Sequence, residues 1–396
     1  MSVSVLTTII IGDEYTDKKL IKNNLITSIK KYYSIDSNPN IHYTSIKNFK
    51  LTLSKIDINE RHILCIMWVR SGTNNILDII LPAQQYLTKF LKKDNNLLLF
   101  SEPIEPYDFT SVFESLFKKE NYKKIKYLTP NIDITNNNIE IIRFFSAIPY
   151  QFPTLEKLQN NPIQIKTDFF IPCKTIRATK HTVMSMLQHA GLLESTDYTY
   201  KLQNDQKKLL KFTKKHLIEY FKDSPQISLL EDSLQTKIEP KFIDIPKNEE
   251  DGIKYGNAHI NQELLDLHKN CMIGVVVEDF YYFLNNKFEK YDEFNLITEK
   301  TVNFMYCKKP FIMFQCRHFL KHFNEMGFKS FSPFINEEYD IIQDDITRFK
   351  AVIEEMKRIA NLSPKDKIIL QNNLIETCEH NFNVVSEKYD NNNLLL

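Results

Sequence analysis

Three clusters of ionisable residues stand where an apolar run gives way to a loop or a helix start. The first is Thr298-Glu299-Lys300, within "FNLITEKTVNFMYCKKPFIMF" at 294–314. Thr298 suits the N-cap of a helix predicted over 298–307. The N-terminus of such a helix carries partial positive charge and unpaired N–H groups that favour an anion. Lys300 in that first turn opposes the dipole unless something negative lies close. The triplet therefore reads in one of two ways: as a capped helix with a surface ion pair, or as a nucleotide grip. In the grip the cation takes phosphate and the carboxylate takes ribose hydroxyls.

The second cluster is Lys174, Arg177, Lys180 and His181 in "CKTIRATKH", directly after the apolar run "DFFIP". The third is Glu278-Asp279, directly after "GVVV". In open α/β sheets, ligands bind beyond the carboxyl ends of strands, where the strand order reverses. Three charged strand exits are either three solvated loops or one convergent site. In a convergent site Arg177 would grip a diphosphate through its planar fork, and Glu278 and Glu299 would take sugar or ribose hydroxyls.

The elements that must hold these residues follow from periodicity. "VLTTIIIG", "NIHYTSI", "HILCIMWV", "NNLLLF" and "IKYLTP" are predicted strands. Amphipathic helices lie between them, among them "DKKLIKNNLITSIKKYY", "NILDIILPAQQYLTKFLKK" and "DFTSVFESLFKK". Near-continuous apolar strands separated by helices predict a parallel sheet covered on both faces, a doubly wound α/β domain over 1–150. The proline-bearing stretch 151–165 is the crossing to a second α/β domain over 166–362. That domain starts with strand "DFFIP" and helix "TVMSMLQHAG", ended by Gly191. A lysine-rich helix at 204–222 and a surface excursion over 223–258 follow. Strands "MIGVVVED" and "PFIMF" come next, then helices at 338–361 and 364–386. Ser363 and Pro364 open the last of these, within a C-terminal helix and frayed tail over 363–396.

Composition removes several classes of function. Across 396 residues, 51 Lys and Arg nearly balance 50 Asp and Glu, so no global basic field points to nucleic acid. No apolar run reaches membrane-span length, and the N-terminus lacks a signal-peptide pattern, so a cytoplasmic location is expected. Six cysteines form no C-x-x-C pair and are expected as free thiols in a reducing compartment. The seven glycines form neither G-x-G-x-x-G nor G-x-x-x-x-G-K, which excludes the dinucleotide fingerprint and the P-loop. His318 and His322 are spaced like a metal pair, but Phe319 stands where a zincin would need Glu. They are expected on a helix surface, and no metal is expected.

Taken in order, these features carry a resemblance. The second domain looks like the nucleotide-sugar-binding half of GT-B-type glycosyltransferases, particularly α1,3-fucosyltransferase-like enzymes. It is closest in look to uncharacterised glycosyltransferase-like proteins of large DNA viruses and phages. The matching residues are Arg177 and His181 at the first helix start, Glu278 at an acidic strand exit, and "TEK" opening a helix. "KPF" on a strand, Gly327-Phe328 and Tyr339-Asp340 complete the series. The match spans roughly 165–350, with the N-terminal half alike only in architecture. In one respect the chain departs from the fucosyltransferases: "YYFLNNKFEKYDEF" separates Glu278 from Thr298, and Asp279 stands where they carry Asn.

The resemblance implies two Rossmann-like domains facing a cleft and sugar transfer from a nucleotide-sugar donor to a glycan or glycoprotein acceptor. It implies no metal or other cofactor and no nucleic acid. A viral chain would work in the host cytoplasm. Arg177, Lys180, His181 and Lys300 would neutralise the diphosphate, and Thr298, Glu299 and Glu278 would complete the donor site. The N-terminal domain would supply the base, with Glu102 in "LLLFSEPIEPYD" the first candidate and Glu105 and Asp108 its neighbours. Lys300→Ala or Arg177→Ala is then expected to abolish donor binding with the fold intact. The competing reading is a GT-B-like module that binds a nucleotide sugar or glycan without transferring it.

Overall fold

The computed structural model describes residues 5–11, 26–35, 39–44, 48–56, 62–68, 80–93, 96–101, 110–129, 136–143, 165–175, 178–201, 214–239, 262–278, 281–284, 287–290 and 297–390. The chain divides into two compact α/β units. One is centred on residues 1–148 and the other on 149–248 and 258–386.

The N-terminal unit is a six-stranded, wholly parallel sheet. Its strands are β1 (Val5–Ile11), β2 (Asn40–Thr44), β3 (His62–Trp68), β4 (Leu97–Ser101), β5 (Ile125–Thr129) and β6 (Glu140–Arg143). They lie in the order β2-β1-β3-β4-β5-β6. The two-residue period of a strand divides their side chains between two cores. Ile9, Leu64, Ile66, Leu98, Phe100 and Tyr127 pack with Leu87, Phe90 and Phe113 of the helices on one face. Leu6, Ile10, Ile63, Cys65, Met67 and Leu99 pack with Ile26 and Ile29 on the other. All five predicted strands are present. The sixth, β6, was not foreseen, since four residues ("EIIR") are too few to show a period.

In the C-terminal unit the strands are β7 (Thr167–Thr175), β8 (Thr196–Lys201), β9 (Cys271–Val277) and β12 (Phe311–Phe314). They form a parallel sheet in the order β12-β9-β7-β8. A separate antiparallel hairpin pairs β10 (Tyr281–Leu284) with β11 (Lys287–Lys290). It occupies the stretch by which the sequence departs from the fucosyltransferases. β9 and β12 are buried along their whole length, as strands covered on both faces must be.

The surface excursion expected over 223–258 is corrected in part. Helix Ile227–Gln235 buries Leu230 and Leu234 and packs on helix Ala178–His189. The helix expected from 338 begins instead at Asp345, because Asp344 caps it by accepting the Thr347 N–H at 2.8 Å. Before it, Glu338–Ile341 forms a single 3-10 turn. Gly191 adopts the left-handed conformation (φ 75°) that ends helix Ala178–His189. Ser363 accepts the Asp366 N–H at the start of helix Pro364–Asp390, as its capping role requires. That long helix is tied to its unit by Lys367, which reaches both carboxylate oxygens of Asp168 at 2.8 Å. It is tied again by Asn381, which holds the N–H and C=O of Lys329 at 2.7 and 2.8 Å. All six cysteines are free, as expected, and all are buried.

Candidate functional site

In chain order the C-terminal sheet runs second, first, third, fourth, so its order reverses between β7 and β9. Ligands of open α/β sheets bind at such a point. Here the two strands also part. Their paired residues run from Thr167 with Cys271 to Phe170 with Gly274. β7 continues along β8 through Cys173 and Thr175, and β9 continues along β12 to Val277. Pro172, which has no N–H to give a ladder, and a register shift between Cys173 and Thr175 lie just past the parting. The carboxyl ends of β7 and β9, past Phe170 and Gly274, are therefore where this strand order would place a ligand.

On the β9 side stands Glu278, the residue after the strand, 3% exposed. Its Oε2 accepts from Lys300 Nζ at 2.9 Å, and its Oε1 accepts from the Thr298 hydroxyl. Thr298 also takes Lys300 Nζ at 3.2 Å and caps helix Glu299–Tyr306 by accepting the Lys300 N–H at 3.3 Å. The charge set against the helix dipole thus has its counter-ion inside the protein. Lys300 pairs with Glu278, and its side chain is 15% exposed. The expectation that Lys300→Ala leaves the fold intact is corrected by this geometry, because the truncation would leave a buried carboxylate without its cation.

The helix that carries Lys300 is seated by Gly274. A Cβ at that position would lie 2.4 Å from Phe304 Cδ1. The absence of a side chain lets the Phe304 ring lie on β9. There it meets His268 (ring centroids 4.8 Å apart) and Phe170 (6.3 Å).

On the β7 side, Thr179, Lys180 and His181 are buried in the first turns of helix Ala178–His189. His181 Nδ1 lies 2.9 Å from the Tyr200 hydroxyl, near the end of β8. Its Nε2 is buried without a hydrogen-bond partner. Burial, with the Lys214 charge beside it, lowers the imidazole pKa to about 4. His181 is therefore neutral near pH 7 and offers a hydrogen bond rather than the positive charge expected of it. The Tyr200 hydroxyl is held protonated by burial. Tyr200 escaped the sequence reading together with β8, although the alternating "TDYTYK" carries a strand's period.

Arg177, Asp279, Glu102, Glu105 and Asp108 lie outside the described residues, as do the side chains of Lys174 and Glu299. His318 and His322 flank the start of a helix. The His318 N–H donates to Asp340 O at 2.8 Å, and His322 Nδ1 lies 3.0 Å from Glu325. Phe319 and Phe323 are core residues. Tyr339-Asp340 plays a structural part here: the Asp340 carboxylate accepts the Leu320 N–H at 3.1 Å, beyond the exit of β12. A polar depression lined by Thr167, Asp168, Glu194 and Asp197 lies at the opposite, amino ends of β7 and β8. Among the described residues no helix is long and apolar enough to cross a membrane.

No family profile and no curated protein matches the chain. Several solved structures do. An α,α-trehalose-phosphate synthase (UDP-forming) from Burkholderia xenovorans, in complex with glucose-6-phosphate, is 11% identical with a TM-score of 0.38. The match covers 88% of this chain and 76% of that one. The corresponding synthase from Burkholderia vietnamiensis is 8% identical over 98% and 97%, TM-score 0.39. The spinosyn rhamnosyltransferase SpnG, complexed with spinosyn aglycone, is 8% identical over 96% and 99%, TM-score 0.34.

Proposed function

We propose that the chain is a glycosyltransferase that moves a sugar from a nucleotide-sugar donor to a glycan or glycoprotein acceptor, without a metal. The observation that carries this reading is the parting of β7 and β9 at the reversal of strand order, flanked by the Glu278–Thr298–Lys300 cluster and by His181. The donor's diphosphate would lie over the N-termini of the helices that follow β7 and β9, where amide groups favour an anion. Lys300 would share its charge between Glu278 and the diphosphate, and Lys180 and Arg177 would add theirs. Neutral His181 would donate from Nε2, held in that tautomer by Tyr200. Glu299 would take the ribose hydroxyls.

In the transfer step the acceptor hydroxyl oxygen bonds to the anomeric carbon. The bond to the diphosphate breaks, and the nucleoside diphosphate leaves with the electron pair. The acceptor proton goes to a base, for which Glu102 is the candidate. Six free, buried cysteines suit the reducing cytoplasm, that of a host for a viral chain.

The second reading, a module that binds without transfer, is favoured by one observation: Glu278 already neutralises Lys300, so the pair brings no surplus charge to these strand ends. Calorimetry with UDP-, GDP-, CMP- and dTDP-sugars, with and without EDTA, tests the donor site. Binding of one nucleotide class that survives EDTA and weakens in His181→Asn supports it. No heat with any of them at millimolar ligand would overturn it. Turnover lost in Glu102→Gln with donor binding kept supports transfer, whereas donor binding without turnover on any acceptor supports the module.

A further inference from the structure

Two lysine-bearing segments lie side by side at the amino ends of β4 and β5. One is the end of helix Gln84–Leu91 and the residues after it, with Lys89, Lys92 and Lys93. The other is the 3-10 turn Lys119–Lys124, with Lys118 before it. Lys124 fastens them together, its Nζ donating to Leu91 O at 2.9 Å and to Lys93 O at 3.1 Å. Lys89, Lys92, Lys93, Lys118, Lys119 and Lys123 are all exposed. Over 89–94 and 118–124 the sequence holds seven lysines against two acids, Asp94 and Glu120. That local surplus of five positive charges sits in a chain whose net charge is +1, so the remainder is net negative. The dipole of helix Gln84–Leu91 accounts for lysines at its end, but Lys118 and Lys119 open a turn where the dipole opposes them.

We propose that this face docks on an anionic lipid surface. Among the described residues its charges are all ammonium groups, with no guanidinium fork for bidentate phosphate or base contacts. Among the described residues the patch also offers no stacking platform for bases. Phe90 and Phe117 are buried, and half-buried Tyr122 donates its hydroxyl to Glu114 O at 2.8 Å. Point charges without base-reading groups match a smeared, fluid layer of anionic headgroups better than a polynucleotide. Docking by the amino ends leaves the carboxyl-end strand exits of the same sheet uncovered. The proposal is independent of the glycosyltransferase reading.

The test is co-sedimentation of the full chain with phosphatidylcholine vesicles, with and without phosphatidylserine, at low and high salt. The phosphatidylserine vesicles should retain the protein at low salt and release it at high salt, and neutral vesicles should not hold it. Each lysine removed should weaken retention about fivefold, so Lys92→Gln/Lys118→Gln/Lys119→Gln/Lys123→Gln should reduce it several hundredfold. The variant's far-UV circular dichroism and melting should match the parent, since only exposed side chains change. Equal retention of variant and parent, equal retention by neutral vesicles, or capture by single-stranded RNA without capture by anionic vesicles would each overturn the proposal.

Discussion

Lys300 Nζ and Glu278 Oε2, 22 residues apart in sequence, meet at 2.9 Å where β9 gives way to the helix that faces it. The pair closes the loop between them and fixes the first turn of helix Glu299–Tyr306 against the strand exit.

Lys300→Met should destabilise the C-terminal unit by about 3–5 kcal/mol, because Glu278 keeps a buried charge with no cation. Replacing both partners, as Lys300→Met/Glu278→Leu, should recover most of that loss. Urea unfolding of the two variants measures the difference. A double variant no more stable than the single one would mean that the pair is not what the single substitution breaks.

His181 makes stability depend on pH. Its folded pKa, about 4, lies below the unfolded value near 6.5, so the unfolded chain binds more protons between the two. The contribution is complete above pH ~6.5 and is lost as pH falls toward 4. Between pH 7 and 5 it should fall by about 2 kcal/mol. Denaturant unfolding at the two pH values should show this loss in the parent and a smaller one in His181→Asn. Equal pH dependence in both would assign the effect to other groups.

Gly274→Ala should cost about 1–3 kcal/mol, because its Cβ would overlap the Phe304 ring, which is itself buried against His268 and Phe170. Adding Phe304→Leu should return part of the loss by making room. A Gly274→Ala protein as stable as the parent would show that the helix can lift off β9 freely.

Tyr200→Phe removes the group that faces His181 Nδ1 and should cost about 1–3 kcal/mol, leaving both ring nitrogens buried without a partner. On the proposed reading it should also weaken donor binding in step with His181→Asn, as calorimetry would show. Loss of stability with donor affinity unchanged would confine Tyr200 to a structural role.

Features that depend on neighbours along the chain were legible in the sequence. Apolar runs marked the five inner and early strands of the first sheet. Thr298, Ser363 and Gly191 marked helix ends through side-chain or backbone chemistry that acts over three or four residues. Short or edge elements were lost: β6 has four residues, and β8 lay hidden between two helical patterns. The hairpin β10–β11 was missed because only its first strand is apolar, the second reading Lys-Phe-Glu-Lys.

The sequence by itself determined that Glu278, Lys180, His181, Thr298 and Lys300 stand at strand exits and helix starts, because periodicity fixes where elements end. Only the tertiary structure decided which of them meet. Strand order brought Glu278 against Lys300 and turned a cation set against a helix dipole into half of a buried pair. The same order placed Tyr200 beside His181, and burial there removed the imidazole's charge. Pairing and desolvation depend on distance in space, and no spacing along the chain encodes that distance.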